Sequence, residues 1–223
     1  MSPHALFTSC LVWLAAVATA AAPALAPAVQ AELDAAVRAH EAGHLAAARS
    51  AFESLARREV PAAQYNLAVM HLRGELPQPD LALAQALLTR AASSGFVTAQ
   101  LALAQGLENG DLGARQLAQA HRWYELAAVG GSVDAQVAMG TAHYLGRGLP
   151  KDPARAAYWF REAAQSGDVG AMYLLASMYE QGDGVGLDLR LARYWYDRAA
   201  RAGDEAAPAK VRELDARLAA PPA

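Results

Sequence analysis

Residues 135–168 read AQVAMGTAHYLGRGLPKDPARAAYWFREAAQSGD, and this stretch decides the fold. A step of 36 residues in either direction brings the pattern back. Ala63, Ala99, Ala135, Ala171 and Ala207 fill one column of that period, and Leu67, Leu103, Met139 and Leu175 fill another. Gly74, Gly110, Gly146 and Gly182 recur in step, as do Ala84, Ala120, Ala156 and Ala192. The pairs Ala91-Ala92, Ala127-Ala128, Ala163-Ala164 and Ala199-Ala200 share a column. Gly95, Gly131, Gly167 and Gly203 close each unit. Independent columns held in one register without a gap mark a repeat array.

Each unit reads as two helices. The first runs from about Ala63 to Arg73 and stops at the Gly74 column, as glycine stops helices. A short loop follows. The second opens on Asp80-Leu81, Asp152-Pro153 or Asp188-Leu189, because an Asp side chain caps free N–H groups and Pro suits the first turn. Within it Ala84, Leu87-Leu88 and Ala91 share one face. The large pair becomes Trp123-Tyr124, Trp159-Phe160 and Trp195-Tyr196 in later units. Small Ala lets a neighbouring helix approach, and the large pair fills what remains. One such hairpin cannot bury its own apolar face, so the units must stack.

These motifs resemble the Sel1-like repeat. The strongest matches are Ala135-Gln136, Met139-Gly140, Gly146-Arg147-Gly148, Trp159-Phe160 and Ala163-Ala164, followed one unit later by Ala171, Leu175-Ala176, Tyr179, Gly182-Asp183-Gly184, Trp195-Tyr196 and Ala199-Ala200. His143 stands in the Tyr column, and Leu87-Leu88 replaces the aromatic pair of the first unit. The resemblance implies an all-α, right-handed superhelical solenoid of tetratricopeptide-like hairpins, with four 36-residue repeats over residues 61–204. It also implies a scaffold, not an enzyme, that binds a protein or peptide on its concave face through the first helices. Columns that vary between units supply the candidate contacts: Tyr65, Val69, Arg73, Gln105, Glu108, Thr141, Tyr144, Tyr173, Ser177 and Glu180.

Composition agrees with this reading. Ala supplies 57 of 223 residues, aromatics only 7%, and the net charge is −3. Ala favours helix over strand. The balance of 19 basic and 22 acidic residues, with no basic run, excludes a nucleic-acid binder. A single Cys excludes an internal disulfide framework and a Cys-cluster metal site.

The ends differ from the array. Residues 1–20 read as a signal peptide, with an apolar run over Ala5–Ala18 and cleavage expected after Ala20 at Ala18-Thr19-Ala20. The n-region has no Lys or Arg, which leaves an uncleaved anchor open; the only membrane contact would then be through this segment. Residues 21–30 read as an Ala/Pro linker. Residues 31–60 read as a tetratricopeptide-like capping hairpin, and residues 205–223 as a capping helix and tail. The expected location is the periplasm or the exterior of a bacterium, and the expected partner is a protein or peptide of the cell envelope, with the cell wall as a further ligand. No cofactor is implied.

Two other readings come from the sequence. One is a binder of peptidoglycan or a β-lactam-like ligand; the chain lacks the Cys pairs of relatives linked to β-lactams and any S-x-x-K nucleophile. The other is a zinc peptidase through His40-Glu41-Ala42-Gly43-His44, the H-E-x-x-H pattern. It needs a helix through both histidines, yet Gly43 falls where the hairpin turn is expected. His71 and His143 read as half-buried rings, and His121, in a column shared with Gln85, Ala157 and Arg193, reads as exposed.

Overall fold

The computed structural model describes residues 25–219. The signal peptide and cleavage site expected of residues 1–20 lie outside the described residues, as do Cys10 and the end of the tail.

Among the described residues the chain is all helical. The N-terminal hairpin is α1 (Pro27–Glu41) and α2 (Leu45–Arg57). Four hairpins follow: α3 (Pro61–Leu72) with α4 (Leu81–Ser93), α5 (Val97–Asn109) with α6 (Leu117–Val129), α7 (Val133–Leu145) with α8 (Pro153–Gln165), and α9 (Val169–Gln181) with α10 (Leu189–Arg201). α11 (Ala207–Ala219) closes the array. Each helix packs on its sequence neighbours, and the first helices α3 and α5 also touch. This is the expected solenoid. None of the described helices is long and apolar enough to cross a membrane.

The columns of the repeat are its packing positions. Ala63, Ala99, Ala135, Ala171 and Ala207 are completely buried, and so are Ala84, Ala120, Ala156 and Ala192. A larger side chain at these points would push the helices apart. Of the bulky column, Leu88, Phe160 and Tyr196 are buried to within 2%. Trp159 and Trp195 are buried as expected, and Trp123 is half-buried.

The helix ends follow local chemistry. Asp80 accepts from the Leu83 amide at 2.9 Å, and Asp152 from the Arg155 amide at 3.0 Å. Gly146 and Gly182 end α7 and α9 with φ of 71° in both, a left-handed conformation that a Cβ penalises. The Gln of the Ala-Gln motif has its own task. Gln100 and Gln136 donate from Nε2 to the Ala92 and Ala128 carbonyls at 3.1 and 3.2 Å. Each ties a first helix to a last-turn carbonyl of the preceding helix, which also accepts from the Gly95 or Gly131 amide.

Several expectations need correction. α1 starts at Pro27, so residues 27–30 are helix rather than linker; Pro at the first turn suits a helix start there. His121 is buried, at 6% exposure, not exposed. The α7–α8 loop folds over its ring, and a Cβ on Gly148 would lie 2.7 Å from His121 Cε1. His71 and His143 are buried at 7% and 5%, deeper than the half-buried state expected of them.

Candidate functional site

The H-E-x-x-H segment does not form a zinc-binding helical face. α1 ends at Glu41, Gly43 takes φ of +77°, and His44 is the N-cap of α2. The two histidines therefore sit on either side of a turn. His40 Nε2 instead meets Glu75 Oε2 at 2.6 Å and joins the capping hairpin to the first repeat. No group of three metal-ligating side chains occurs among the described residues.

The variable columns form a surface along the first helices. On each of these helices the residues at 65, 69 and 73, and their equivalents one unit on, are four apart and share a face. Tyr65, Leu101, Val137 and Tyr173 make a half-buried row, and Val69, Gln105, Thr141 and Ser177 make a second. Arg73, Asn109, Leu145 and Gln181 make an exposed third, with Leu145 63% exposed. α3 and α5 also touch directly, so two first helices approach each other at this point of the stack.

The ten candidate residues differ in freedom. Gln105 is exposed, while Val69 and Thr141 are half-buried. Arg73 is exposed and 3.8 Å from Glu75. Ser177 accepts from Gln181 Nε2 at 3.1 Å. The Tyr65 ring meets Phe96 edge-on at 5.9 Å, and Tyr173 meets Tyr196 at 4.9 Å. Lys151 Nζ lies 5.8 Å over the Tyr144 ring.

Glu108 and Glu180 are engaged within the fold. Tyr124 Oη donates to Glu108 Oε2 at 2.7 Å, and Arg147 Nη2 sits 3.2 Å from Oε1. Tyr196 Oη donates to Glu180 Oε2 at 3.0 Å, while Lys210 Nζ and Arg217 Nη1 reach Oε1 at 3.2 and 3.0 Å. Burial, reinforced by the hydrogen bond to the carboxylate, pushes both phenols well above their ordinary pKa.

Beside Glu108 a cavity of about 190 Å³ opens between α5 and α7, with α6 as its floor. Glu108, His121, Tyr124, Ala138, Thr141 and Arg147 line it. Burial lowers the pKa of His121, and neighbouring His143 and Arg147 lower it further against the opposing pull of Glu108. Nδ1 of His121 and Nδ1 of His143 have no hydrogen-bond partner among the described residues.

The Sel1 repeat model matches residues 61–96, 97–132, 133–168 and 169–204, the four units read from the sequence. The chain belongs to the Sel1 repeat family. A protective antigen of uropathogenic Escherichia coli with an SLR fold is 28% identical, with a TM-score of 0.78 over 86% of this chain and 42% of that one. A Sel1 repeat protein from Oxalobacter formigenes is 33% identical, with a TM-score of 0.69 over 75% of this chain and 49% of that one. This Sel1 repeat chain thus spans less than half the length of either relative. None of the curated proteins matches it. Sel1 repeat proteins are generally non-enzymatic protein-interaction scaffolds.

Proposed function

We propose that this protein is an exported adaptor that binds an extended protein segment on the inner face of its solenoid, within a bacterial cell envelope. The observation that carries the reading is the contrast between columns. The alanine columns that repeat unchanged are buried, and the glycine columns that repeat unchanged end helices. The rows that vary lie on one accessible stripe of the first helices, and they mix Tyr, Leu and Val with neutral polar groups. Packing does not dictate those side chains, and aromatic anchors with a polar surround are what peptide recognition uses. Export rests on the apolar N-terminal segment and the small residues that follow it.

A crosslinking pull-down from envelope extracts tests this reading. Gln105→Arg and Ser177→Arg, which block the stripe, are expected to abolish capture of the partner. Arg122→Ala and Tyr194→Ala, on exposed positions of second helices, are expected to leave it intact. Capture insensitive to the stripe variants, or recovery of wall fragments alone, overturns the reading. N-terminal sequencing of the envelope fraction is expected to start at Ala21.

A further inference from the structure

The array contains one site twice, once closed and once open. Two repeats separate Glu108 from Glu180 and Tyr124 from Tyr196, and both Glu–Tyr pairs are formed. The same step carries Ala138 to Lys210, Thr141 to Glu213 and Leu145 to Arg217. At the C-terminal site α11 stands where α7 stands at the inner one. There Lys210 reaches from the Ala138 position to the carboxylate. Its Nζ lies 3.2 Å from Glu180 Oε1 and 3.2 Å from Glu213 Oε2. At the inner site Ala138 has no side chain to do this, and the cavity of about 190 Å³ lies between Glu108 and Thr141 instead.

We propose that this cavity is a lysine pocket, which takes the ammonium group of a partner's lysine side chain onto Glu108 Oε1 and Thr141 Oγ, as the chain's own Lys210 is held on Glu180 and Glu213. The inference rests on the inner-face reading and names what that face recognises. Three features of the pocket fit a cation with an apolar stem. Glu108 uses one contact on each oxygen and keeps lone pairs free on both. Ala138 and Ala142 give the wall an apolar side against which a methylene stem packs. His121 borders the cavity as a buried ring whose Nδ1 has no partner among the described residues, and burial lowers its pKa, which favours the neutral form. Arg147 is 53% exposed and shares Oε1, as Arg217 shares Glu180 Oε1 with Lys210. It can remain beside an incoming ammonium or swing into solvent.

The test is an NMR titration of the protein with Nα-acetyl-lysine-N-methylamide and with its norleucine counterpart, read at His121 and Thr141. The lysine compound is expected to give saturable shifts, with affinity at least about tenfold above norleucine, as expected of a charge-assisted contact. Ala138→Lys, which fills the cavity from within, is expected to abolish them. Thr141→Val, which removes an acceptor at nearly constant volume, is expected to weaken them and serves should the first variant fail to fold. Arg147→Ala is expected to tighten binding, because it frees Glu108; a merely structural Arg147 would not do so. A flat titration, or an equal response to norleucine, overturns the pocket. Peptide-array binding separates the two claims. Binding on the stripe without lysine preference keeps the adaptor and removes the pocket. Saturable lysine binding without any peptide binding to the stripe removes the adaptor instead, and with it the role of the pocket in partner recognition.

Discussion

The phenol of Tyr124 donates to the carboxylate of Glu108 at 2.7 Å, across sixteen residues and two helices. In the first and third units the same two positions hold Leu72 with Leu88 and Tyr144 with Phe160, so the second-helix side chain, Leu88 or Phe160, carries no hydroxyl that needs an acceptor. The repeat thus has two solutions for one packing position, one polar and one apolar, and they alternate along the array.

The pair should behave as a unit. Glu108→Leu leaves a buried hydroxyl without its acceptor and is expected to cost about 2 kcal/mol. Glu108→Leu with Tyr124→Phe reproduces the chemistry of the apolar units and is expected to cost less than the single change. Urea unfolding of the three proteins checks the order.

Stability should fall on acidification. Burial lowers the pKa of His121 and His143 in the folded chain below the ordinary value of 6.5. For a base with a lowered folded pKa the unfolded chain takes up protons first. The stabilisation is therefore complete above about pH 6.5 and declines as pH falls toward the folded values, by up to about 1.4 kcal/mol per pH unit for each ring. Glu108, Glu125 and Asp152 oppose the shift, while Arg147 and Arg155 assist it. His121→Gln, the residue of the first unit, is expected to flatten the dependence of the urea midpoint between pH 7.5 and about 5.

Gly140 should not tolerate a methyl group, although Ala68, Ala104 and Ala176 fill its column. A Cβ there would stand 2.7 Å from the Phe160 ring. Gly140→Ala is expected to cost about 1–3 kcal/mol by overpacking. Phe160→Leu in the same chain, which restores the pairing of Leu88 with Ala68, is expected to recover part of that loss in thermal melts.

The fold is legible because packing repeats every 36 residues: the recurring alanine columns mark buried contacts and the recurring glycine columns mark helix ends. Other features escaped for definite reasons. The Glu–Tyr pairs recur at 72 residues, so a search in steps of 36 sees a mixed column of Leu, Glu and Tyr and reads it as free surface. The sequence thus gives no sign of the bonds that Tyr124 and Tyr196 make to Glu108 and Glu180. His121 shares its column with Gln, Ala and Arg. Its burial depends on Gly148, in the loop of the next unit, which lets the backbone close over the ring. The helical start at Pro27 hid in an Ala/Pro stretch that suits a linker equally well.

The central claim is that the stripe on the first helices meets the partner. Site-specific photo-crosslinking in intact cells tests it most directly. A photoreactive residue is placed in turn at Gln105, Thr141 and Ser177 on the stripe, and at Arg122, Tyr158 and Tyr194 on the second helices. The account predicts one discrete adduct from the stripe positions and none from the second-helix positions. An adduct confined to the second helices, or equal from both sets, would contradict it.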